Sequence, residues 1–157
     1  MEIEKEIIKR QTVKTKIVLA ARKYVDVPFV HQGRSEYGVD CLGLLMLVAQ
    51  QLDLQGNDGE LLANYDNLNY SKNPNVKDLR LMLEKYLTPK DNAEIGDIGL
   101  FEIDSNAQHL AIISDYGEKY LNNNSLGIIH AYQNVGRVVE HNFSVNWQRR
   151  LVQLFSI

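Results

Sequence analysis

The chain contains one cysteine, Cys41, at the beginning of the apolar segment "CLGLLMLVAQQL". Aspartate is a favoured helix N-cap, so Asp40 and this segment predict a helix that begins at Cys41 and ends near Leu52. A thiol at a helix N-terminus lies beside unpaired backbone N–H groups and the positive end of the helix dipole. Both favour the thiolate, so we expect the pKa of Cys41 to lie below the usual value of about 8.5. The same N–H groups would stabilise an oxyanion.

A cysteine nucleophile needs a base, and two histidines occur in consecutive predicted strands. His109 begins "HLAIISDY", and His130 lies in "GIIHAY". Neighbouring antiparallel strands can bring such side chains together on one face of a sheet. One imidazole would then accept the thiol proton, and the other would orient that base. The other reading, a buried cysteine that acts only as a small hydrophobe, is the more common case and stays open.

Metal binding is another use of these residue types. Cys41, His109 and His130 are ligand types that suit zinc, but the closely spaced ligand pairs of structural zinc sites are absent. We therefore expect no metal ion and no cofactor. His141, which precedes Phe143 in a later strand, is expected to be a structural or exposed residue.

The elements that must position these residues divide the chain into a helical first part and a strand-rich second part. Apolar residues at three- to four-residue spacing predict helices, and short apolar stretches between turn residues predict strands. The predicted helices are Glu2–Val25, Cys41–Leu52 and Val76–Leu87, and the predicted strands are Asp97–Ile103, His109–Tyr116, Gly127–Gln133, Arg137–Phe143 and the C-terminal "RLVQLFSI". This order predicts an α+β fold with N-terminal helices and an antiparallel β-meander.

The polar segment Asp53–Asn75 is predicted to be an irregular insertion with a short helical piece near Leu61. Its residues Tyr65, Asn67 and Tyr70 either form a rim that binds sugar or peptide or, as we expect, lie in a solvated loop.

Composition narrows the class of protein. The 157 residues are 45% hydrophobic, which predicts one domain covering residues 1–157. The net charge of -3 argues against a protein that binds nucleic acid. A single cysteine cannot form an internal disulfide, and the charged N-terminal segment lacks the apolar stretch of a signal peptide. The longest apolar run, Leu42 to Ala49, is too short to span a membrane.

Taken in order, several of these residues resemble the NlpC-like family of papain-related cell-wall cysteine peptidases. The family pattern is a Pro-aromatic pair, a glycine-bearing loop, Asp-Cys-x-Gly-Leu at the start of a helix, a later Gly-Asp, a strand that begins with histidine, and a strand that carries His-Ala. The matching residues are Pro28-Phe29, Gly33, Asp40 to Leu44, Gly96-Asp97, His109 to Ile112 and His130-Ala131. The match extends from about Ile17 to Phe143.

The resemblance implies a papain-like NlpC fold in which N-terminal helices pack on a central antiparallel β-sheet. It implies that Cys41 is the nucleophile, His109 the general base and His130 the orienting third residue. The implied reaction is hydrolysis of an amide bond in peptidoglycan stem peptides, often the γ-D-glutamyl to diamino-acid bond, through a thioester acyl-enzyme.

Residues close to the cysteine are expected to contact the substrate. His31 and Gln32 would form a wall of the cleft that contacts substrate or, as the alternative, lie in an exposed loop. Arg34 would pair with a substrate carboxylate or, equally, form a surface salt bridge. Asp40 either binds a substrate amine or only caps the helix.

Two positions near the cysteine depart from the family pattern. Phe29 stands where many members have tyrosine, and it cannot donate the hydrogen bond of a phenol to substrate or oxyanion. Leu42 stands where many members have serine. The bond specificity of the family is therefore not carried over to this chain.

The resemblance is closest to a branch found in phage tails and gene-transfer particles. That branch tends to carry "HQGR", "DCLGL" and "GRVVEH", which here are His31 to Arg34, Asp40 to Leu44 and Gly136 to His141. It implies tail-tip or hub proteins as partners, synthesis in the cytoplasm without a signal peptide, and delivery to the cell wall inside a virion or tail-like particle. Trp147, followed by Arg149 and Arg150, either docks on a neighbouring tail protein or packs the C-terminus.

Two functions from different classes follow from this sequence. The first is a cysteine endopeptidase that degrades peptidoglycan, which the set of Cys41, His109 and His130 favours. The alternative is a tail-tip structural or assembly subunit with weak or no hydrolysis, for which the replacements Phe29 and Leu42 leave room.

Overall fold

The computed structural model describes residues 1–66, 76–104 and 107–157. Its helices are α1 (Glu2–Arg22), α2 (Cys41–Gln51), α3 (Val76–Tyr86) and α4 (Val145–Gln148), and its strands are β1 (Arg34–Ser35), β2 (Gly38–Val39), β3 (Thr88–Lys90), β4 (Ile98–Ile103), β5 (Ala107–Ser114), β6 (Gly127–Tyr132), β7 (Arg137–Asn142) and β8 (Leu151–Ser156). A 3₁₀ helix spans Leu62–Tyr65, and a π-helical turn spans Gly117–Leu121. The expected α+β architecture is confirmed, because each predicted helix and strand occurs with its ends moved by at most three residues.

Six strands form one antiparallel sheet in the order β3-β8-β4-β5-β6-β7. Strands β4 to β7 form the predicted meander. The C-terminal strand β8 does not extend it but returns to pair with β4, and the short strand β3 pairs with the outer edge of β8. Strands β1 and β2 form a separate two-stranded ribbon just before α2.

Alternating side chains give the sheet two buried faces. One face packs against the helices through Leu100, Leu110 and Ile129. The other face forms a second cluster that includes Phe101 and Trp147. Successive side chains along a strand therefore alternate between the face that packs against α2 and the face that points away from the helices.

Helix α2 lies in the core because it is apolar on most sides. Six of its apolar side chains are buried: Leu42, Leu44, Leu45, Met46, Val48 and Ala49. The helix contacts α1 on one side and strands β5 and β6 on the other. The start of α2 is thereby held against the middle of the sheet.

Helix α1 is buried only in its C-terminal half, through Ile17, Val18, Ala20 and Ala21. The apolar residues Ile3 and Ile7, which contribute to the predicted stripe, remain exposed. The helix ends at Arg22, three residues earlier than predicted, because i to i−3 hydrogen bonds tighten the chain into a turn. Arg22 joins α1 to β7 through both carboxylate oxygens of Glu140, at 2.7 and 2.9 Å.

The polar insertion is described as far as Asp66. The predicted short helical piece is the 3₁₀ helix, where the Tyr65 ring stacks on Tyr86 at a centroid distance of 4.0 Å. Asn67 and Tyr70 lie outside the described residues. Within the described ranges, no helix is both long enough and apolar enough to cross a membrane.

Gly43, in the first turn of α2, permits a close contact with the preceding loop. A Cβ atom at this position would lie 2.1 Å from the carbonyl oxygen of Gly33 and 2.9 Å from Nη1 of Arg34. The backbone oxygen cannot move aside without displacing the loop that leads into the helix. Glycine at position 43 is therefore a packing requirement of the loop and helix together.

We expect Gly43→Ala to lower the free energy of unfolding by about 1–3 kcal/mol, the usual cost of overpacking. Helix propensity alone would give the opposite sign, since alanine stabilises a helix interior by about 1 kcal/mol relative to glycine. Urea unfolding of the variant and the wild type measures the difference. Gln51→Ala, at the exposed end of α2, is the control and should stay within about 0.5 kcal/mol. An unchanged or more stable Gly43→Ala variant would contradict the packing argument.

Candidate active site

The Asp40 carboxylate caps helix α2 at the residue before the cysteine. Its Oδ1 atom accepts the Gly43 N–H at 2.7 Å, and its Oδ2 atom accepts the Gln32 N–H at 2.8 Å. The side chain is buried, with 4% of the residue exposed. The expected N-cap is therefore confirmed, and the same group ties the loop containing Gln32 to the start of α2. The alternative role of Asp40, binding a substrate amine, stays a prediction.

Arg34 is held between two carboxylates. Its Nη1 atom donates to Asp40 Oδ1 at 3.1 Å, and its Nε and Nη2 atoms donate to the two oxygens of Asp66 at 2.8 and 2.9 Å. Arg34 therefore forms a salt bridge, as one of the two alternatives predicted. One of its partners, Asp66, directly follows the 3₁₀ helix. Pairing with a substrate carboxylate would require Arg34 to exchange one of these partners.

The other expected substrate contacts lie in the same loop. His31 is half-buried, and its Nδ1 atom lies 4.0 Å from Asp40 Oδ2. Gln32 adopts a left-handed backbone conformation with φ of 61°. Phe29 packs on the helix-side core, and its backbone N–H donates to the Gly136 carbonyl at 2.8 Å. The loop is thus anchored to the sheet just before β7 begins.

Cys41 is the first residue of α2, and it packs on the helix-side core beside Leu45 and Leu110. Part of its surface stays exposed, yet the pKa of the thiol is raised to about 11, mainly by burial and then by the negative charge of Asp40. Backbone N–H groups of Leu110, Leu42 and Cys41 itself lower this pKa but do not offset the burial. The expectation of a depressed pKa is therefore wrong for this state of the protein, because desolvation outweighs the helix terminus.

His109 and His130 are brought together, as the strand arrangement predicted. His109 Nε2 lies 2.6 Å from His130 Nδ1, and the ring centroids are 4.8 Å apart. Both rings are buried on the sheet face that carries Trp147. Burial lowers the pKa of His109 to about 3, and burial with the neighbouring histidines also lowers the pKa of His130. Both imidazoles are therefore neutral at pH 7.

His141 is the functional candidate that the sequence analysis missed. Its Nε2 atom lies 2.8 Å from His130 Nε2, and its Nδ1 atom lies 3.0 Å from the backbone oxygen of Asn142. It stands on β7, the edge strand beside the β6 strand that carries His130. Along the chain, strand β6 lies between His141 and His109. The signal that could have found it is its place on the same face of the meander.

Trp147 fixes the three imidazoles from the side. Its ring lies edge-on to His130 at 4.8 Å, and it is tilted against His109 at 6.1 Å and His141 at 5.7 Å. The guanidinium of Arg150 covers the same indole ring at 5.1 Å. Trp147 is buried and packs against the histidine cluster.

Cys41 approaches strand β5 from the helix side, whereas the rings of His109 and His130 lie on the opposite face of the sheet, beside Trp147. The pairing of β5 with β6 extends only from Ile112 to Ser114, so the two strands part towards His109. Leu110, one residue beyond His109, lies beside Cys41. Within the described residues no hydrogen bond joins the thiol to His109. Cys41 therefore contacts β5 one residue from His109, and both groups are neutral at pH 7.

Gln108, immediately before His109, is buried with 4% of the residue exposed. Neither its amide oxygen nor its amide nitrogen has a hydrogen-bond partner. Strand alternation places its side chain on the same face as Leu110, which is the face that carries α2. An unpaired amide next to the site offers one donor and one acceptor to a ligand.

In the ranges that the structure describes, no group of three or more histidine, cysteine, aspartate or glutamate residues is arranged to hold a metal ion. The three imidazoles are joined nitrogen to nitrogen in a line, so their nitrogens do not converge on one point. The chemistry available here is that of a thiol and a chain of imidazoles.

Comparison with known proteins gives structural but not sequence matches. No protein-family model matches the chain, and no curated protein matches it in sequence. The NlpC/p60 domain of peptidoglycan hydrolase SagA superimposes with a TM-score of 0.53 at 22% identity, covering 92% of this chain and 98% of that one. An N-acetylmuramoyl-L-alanine amidase from Bacteroides uniformis superimposes with a TM-score of 0.56 at 13% identity, and the match covers 92% of this chain and 97% of that one.

A third structure, an NlpC/P60 family protein from Bacillus cereus, gives a TM-score of 0.58 at 14% identity and covers 90% of this chain but 39% of its own. These matches show that the chain has the NlpC/p60 fold, as the residue pattern around Cys41 and the two histidines predicted. The identities are too low for the matches to assign roles to individual residues.

We expect alkylation of Cys41 by iodoacetamide to show a midpoint near pH 11, because the reactive thiolate forms only above the raised pKa. The rate should be followed against pH by mass spectrometry. The same protein in concentrated urea serves as the control, with a midpoint near the unperturbed value of about 8.5. A folded-state midpoint at or below that of the unfolded chain would show that the helix terminus prevails over burial.

Replacing Gln108 by methionine, which has a similar length and no hydrogen-bonding amide, should raise the free energy of unfolding by about 1 kcal/mol. The reason is that a buried amide without partners is desolvated without compensation. Gln153→Met is the matched control, because the Gln153 amide donates to the Lys90 carbonyl at 2.8 Å and its loss should destabilise. If urea unfolding showed that both variants lose the same free energy of unfolding, the argument that the Gln108 amide is uncompensated would be wrong.

Proposed function

We propose that this protein is a cysteine peptidase or amidase that hydrolyses amide bonds in peptidoglycan stem peptides. In this proposal Cys41 is the nucleophile, His109 the general base and His130 the residue that orients the base. The observation that carries the proposal is the 2.6 Å contact between His109 and His130 at the strand end where Leu110 contacts Cys41. The peptidoglycan hydrolase SagA domain, which shares the fold, supports the substrate class.

The proposed reaction begins from a neutral thiol and a neutral imidazole. His109 accepts the thiol proton as the sulfur attacks the substrate carbonyl, and the backbone N–H of Cys41 is one donor to the resulting oxyanion. The tetrahedral intermediate expels the amine, which takes its proton from His109, and leaves a thioester. Water activated by His109 then hydrolyses the thioester and regenerates the thiol.

Substrate binding has an electrostatic task in this proposal. The Asp40 charge raises the pKa of Cys41, so a cationic amine of the stem peptide close to Asp40 would offset that charge and favour the thiolate. Gln32, His31 and Phe29 would form the adjoining wall of the cleft. Arg34 would donate its hydrogen bonds to a substrate carboxylate in place of Asp66.

We further propose that the protein acts as a component of a phage tail or gene-transfer particle, with tail-tip or hub proteins as partners. The motifs "HQGR", "DCLGL" and "GRVVEH" support this proposal. It includes synthesis in the cytoplasm and delivery to the cell wall by the particle.

A structural tail-tip subunit is the second candidate function. It is favoured by one observation, the combination of a raised pKa of Cys41 with a lowered pKa of His109. That combination opposes proton transfer from thiol to imidazole in the unliganded protein. A subunit of this kind would retain the fold and release no cell-wall fragments.

The deciding experiment is digestion of purified peptidoglycan by wild-type protein and Cys41→Ala, with released fragments identified by mass spectrometry. We expect Cys41→Ala to reduce fragment release by at least about 1,000-fold, as expected when a nucleophile is removed. Lys9→Ala, on the exposed part of α1, is the control and should behave as wild type.

Fragment masses would also identify the bond that is cleaved. If neither wild type nor variant releases fragments from walls of several chemotypes, the hydrolase proposal is wrong and the structural function is favoured.

A further inference from the structure

The backbone oxygen of Asn142 determines in which direction the hydrogen bonds of the histidine cluster are donated. A carbonyl oxygen only accepts hydrogen bonds, so the ring nitrogen that contacts it must carry a proton. That nitrogen is Nδ1 of His141, at 3.0 Å. In the neutral form of His141 the other nitrogen, Nε2, is unprotonated and accepts a hydrogen bond.

The remaining tautomers follow in sequence from this end. Nε2 of His130 lies 2.8 Å from the unprotonated Nε2 of His141, so His130 donates and its Nδ1 atom is left unprotonated. His109 Nε2 lies 2.6 Å from that Nδ1 atom, so His109 donates through Nε2. The second nitrogen of His109, Nδ1, is then the unprotonated one. The reverse assignment would require a second proton on His141, because the Asn142 carbonyl already keeps one proton on its Nδ1 atom.

We propose that His141 is a positioning residue that, with the Asn142 carbonyl, sets the tautomer of His109 and keeps its Nδ1 atom free to accept a proton. The catalytic meaning of this inference rests on the proposed function, in which His109 takes the thiol proton. The tautomer itself does not depend on that function. When Nδ1 of His109 becomes protonated, the Nε2–H bond to His130 can remain in place, so the chain need not rearrange during the reaction.

The packing around the cluster maintains this direction. Trp147 contacts all three imidazoles, and Tyr132 stacks on His130 at 5.1 Å with an interplanar angle of 21°. A ring flip of His130 would have to break both hydrogen bonds and move against these aromatic rings. His141, on the edge strand β7, is therefore the residue that links the imidazole cluster to the Asn142 carbonyl.

The test is a measurement of histidine tautomers by nitrogen NMR on the ¹⁵N-histidine-labelled full chain at pH 7. In the wild type we expect His109 to be protonated at Nε2 and unprotonated at Nδ1. His141→Phe keeps a ring of similar size but removes the acceptor, so His109 should lose this single tautomer and populate both. His141→Gln offers a carbonyl oxygen to His130 Nε2–H, so it should restore the wild-type tautomer.

Kinetics provide the second readout. Fragment release by His141→Phe should fall by on the order of 10- to 100-fold, the range for removing outer partners of functional histidines at metal sites. His141→Gln should recover most of that loss. If His141 were purely structural, His141→Gln would be more active than His141→Phe only to the extent that it is more stable, and the unfolding midpoints of the two variants measure that stability.

Each outcome bears on one proposal. Protonation of His109 at Nδ1 in the wild type, or an unchanged His109 tautomer in a folded His141→Phe variant, overturns the positioning role. Absence of peptidoglycan fragments with the expected tautomers present overturns the proposed hydrolase function and leaves the role of His141 in setting the tautomer intact.

Discussion

The buried carboxylate of Asp40 is the interaction on which the rest of the site depends. It caps α2 through Gly43, holds the preceding loop through the Gln32 N–H, and pairs with Arg34. Loss of one partner of a buried charge typically costs about 3–5 kcal/mol, because the remaining charge is left uncompensated. The position of Cys41, directly after this cap, is therefore a consequence of how the loop and the helix are joined. Asp40 is accordingly structural whether or not it also binds substrate.

The same burial that builds this site makes its reacting groups weak. Packing around Cys41 raises the pKa of the thiol, and packing around His109 lowers the pKa of the imidazole, so each shift opposes an ion pair. The helix terminus acts in the favourable direction, but it contributes less than desolvation. A hydrolase with this unliganded state must obtain thiolate formation from substrate binding, which adds charges and dipoles to the cleft and excludes water.

The sequence predicted what depends on local pattern. Periodicity located the helices and strands, the Asp40 cap fixed the start of α2, and strand order placed His109 beside His130. It did not predict the return of β8 to pair with β4, because nothing local in a strand specifies its partner. It also failed for the pKa of Cys41. That pKa depends on what packs around the thiol after folding, and a helix start contains no information about this desolvation.

A chain of neutral imidazoles has no intrinsic direction, so something at one end must impose it. In catalytic triads an aspartate does this, and its full charge also stabilises the imidazolium that forms. Here a backbone carbonyl stands at the end, next to His141. It fixes which nitrogen of each ring carries the proton, but its partial charge does little to strengthen His109 as a base. That division agrees with the lowered pKa of His109. In the proposed reaction the cluster would specify which nitrogen of His109 accepts the proton, and a substrate bound near Asp40 and Cys41 would have to supply the driving force.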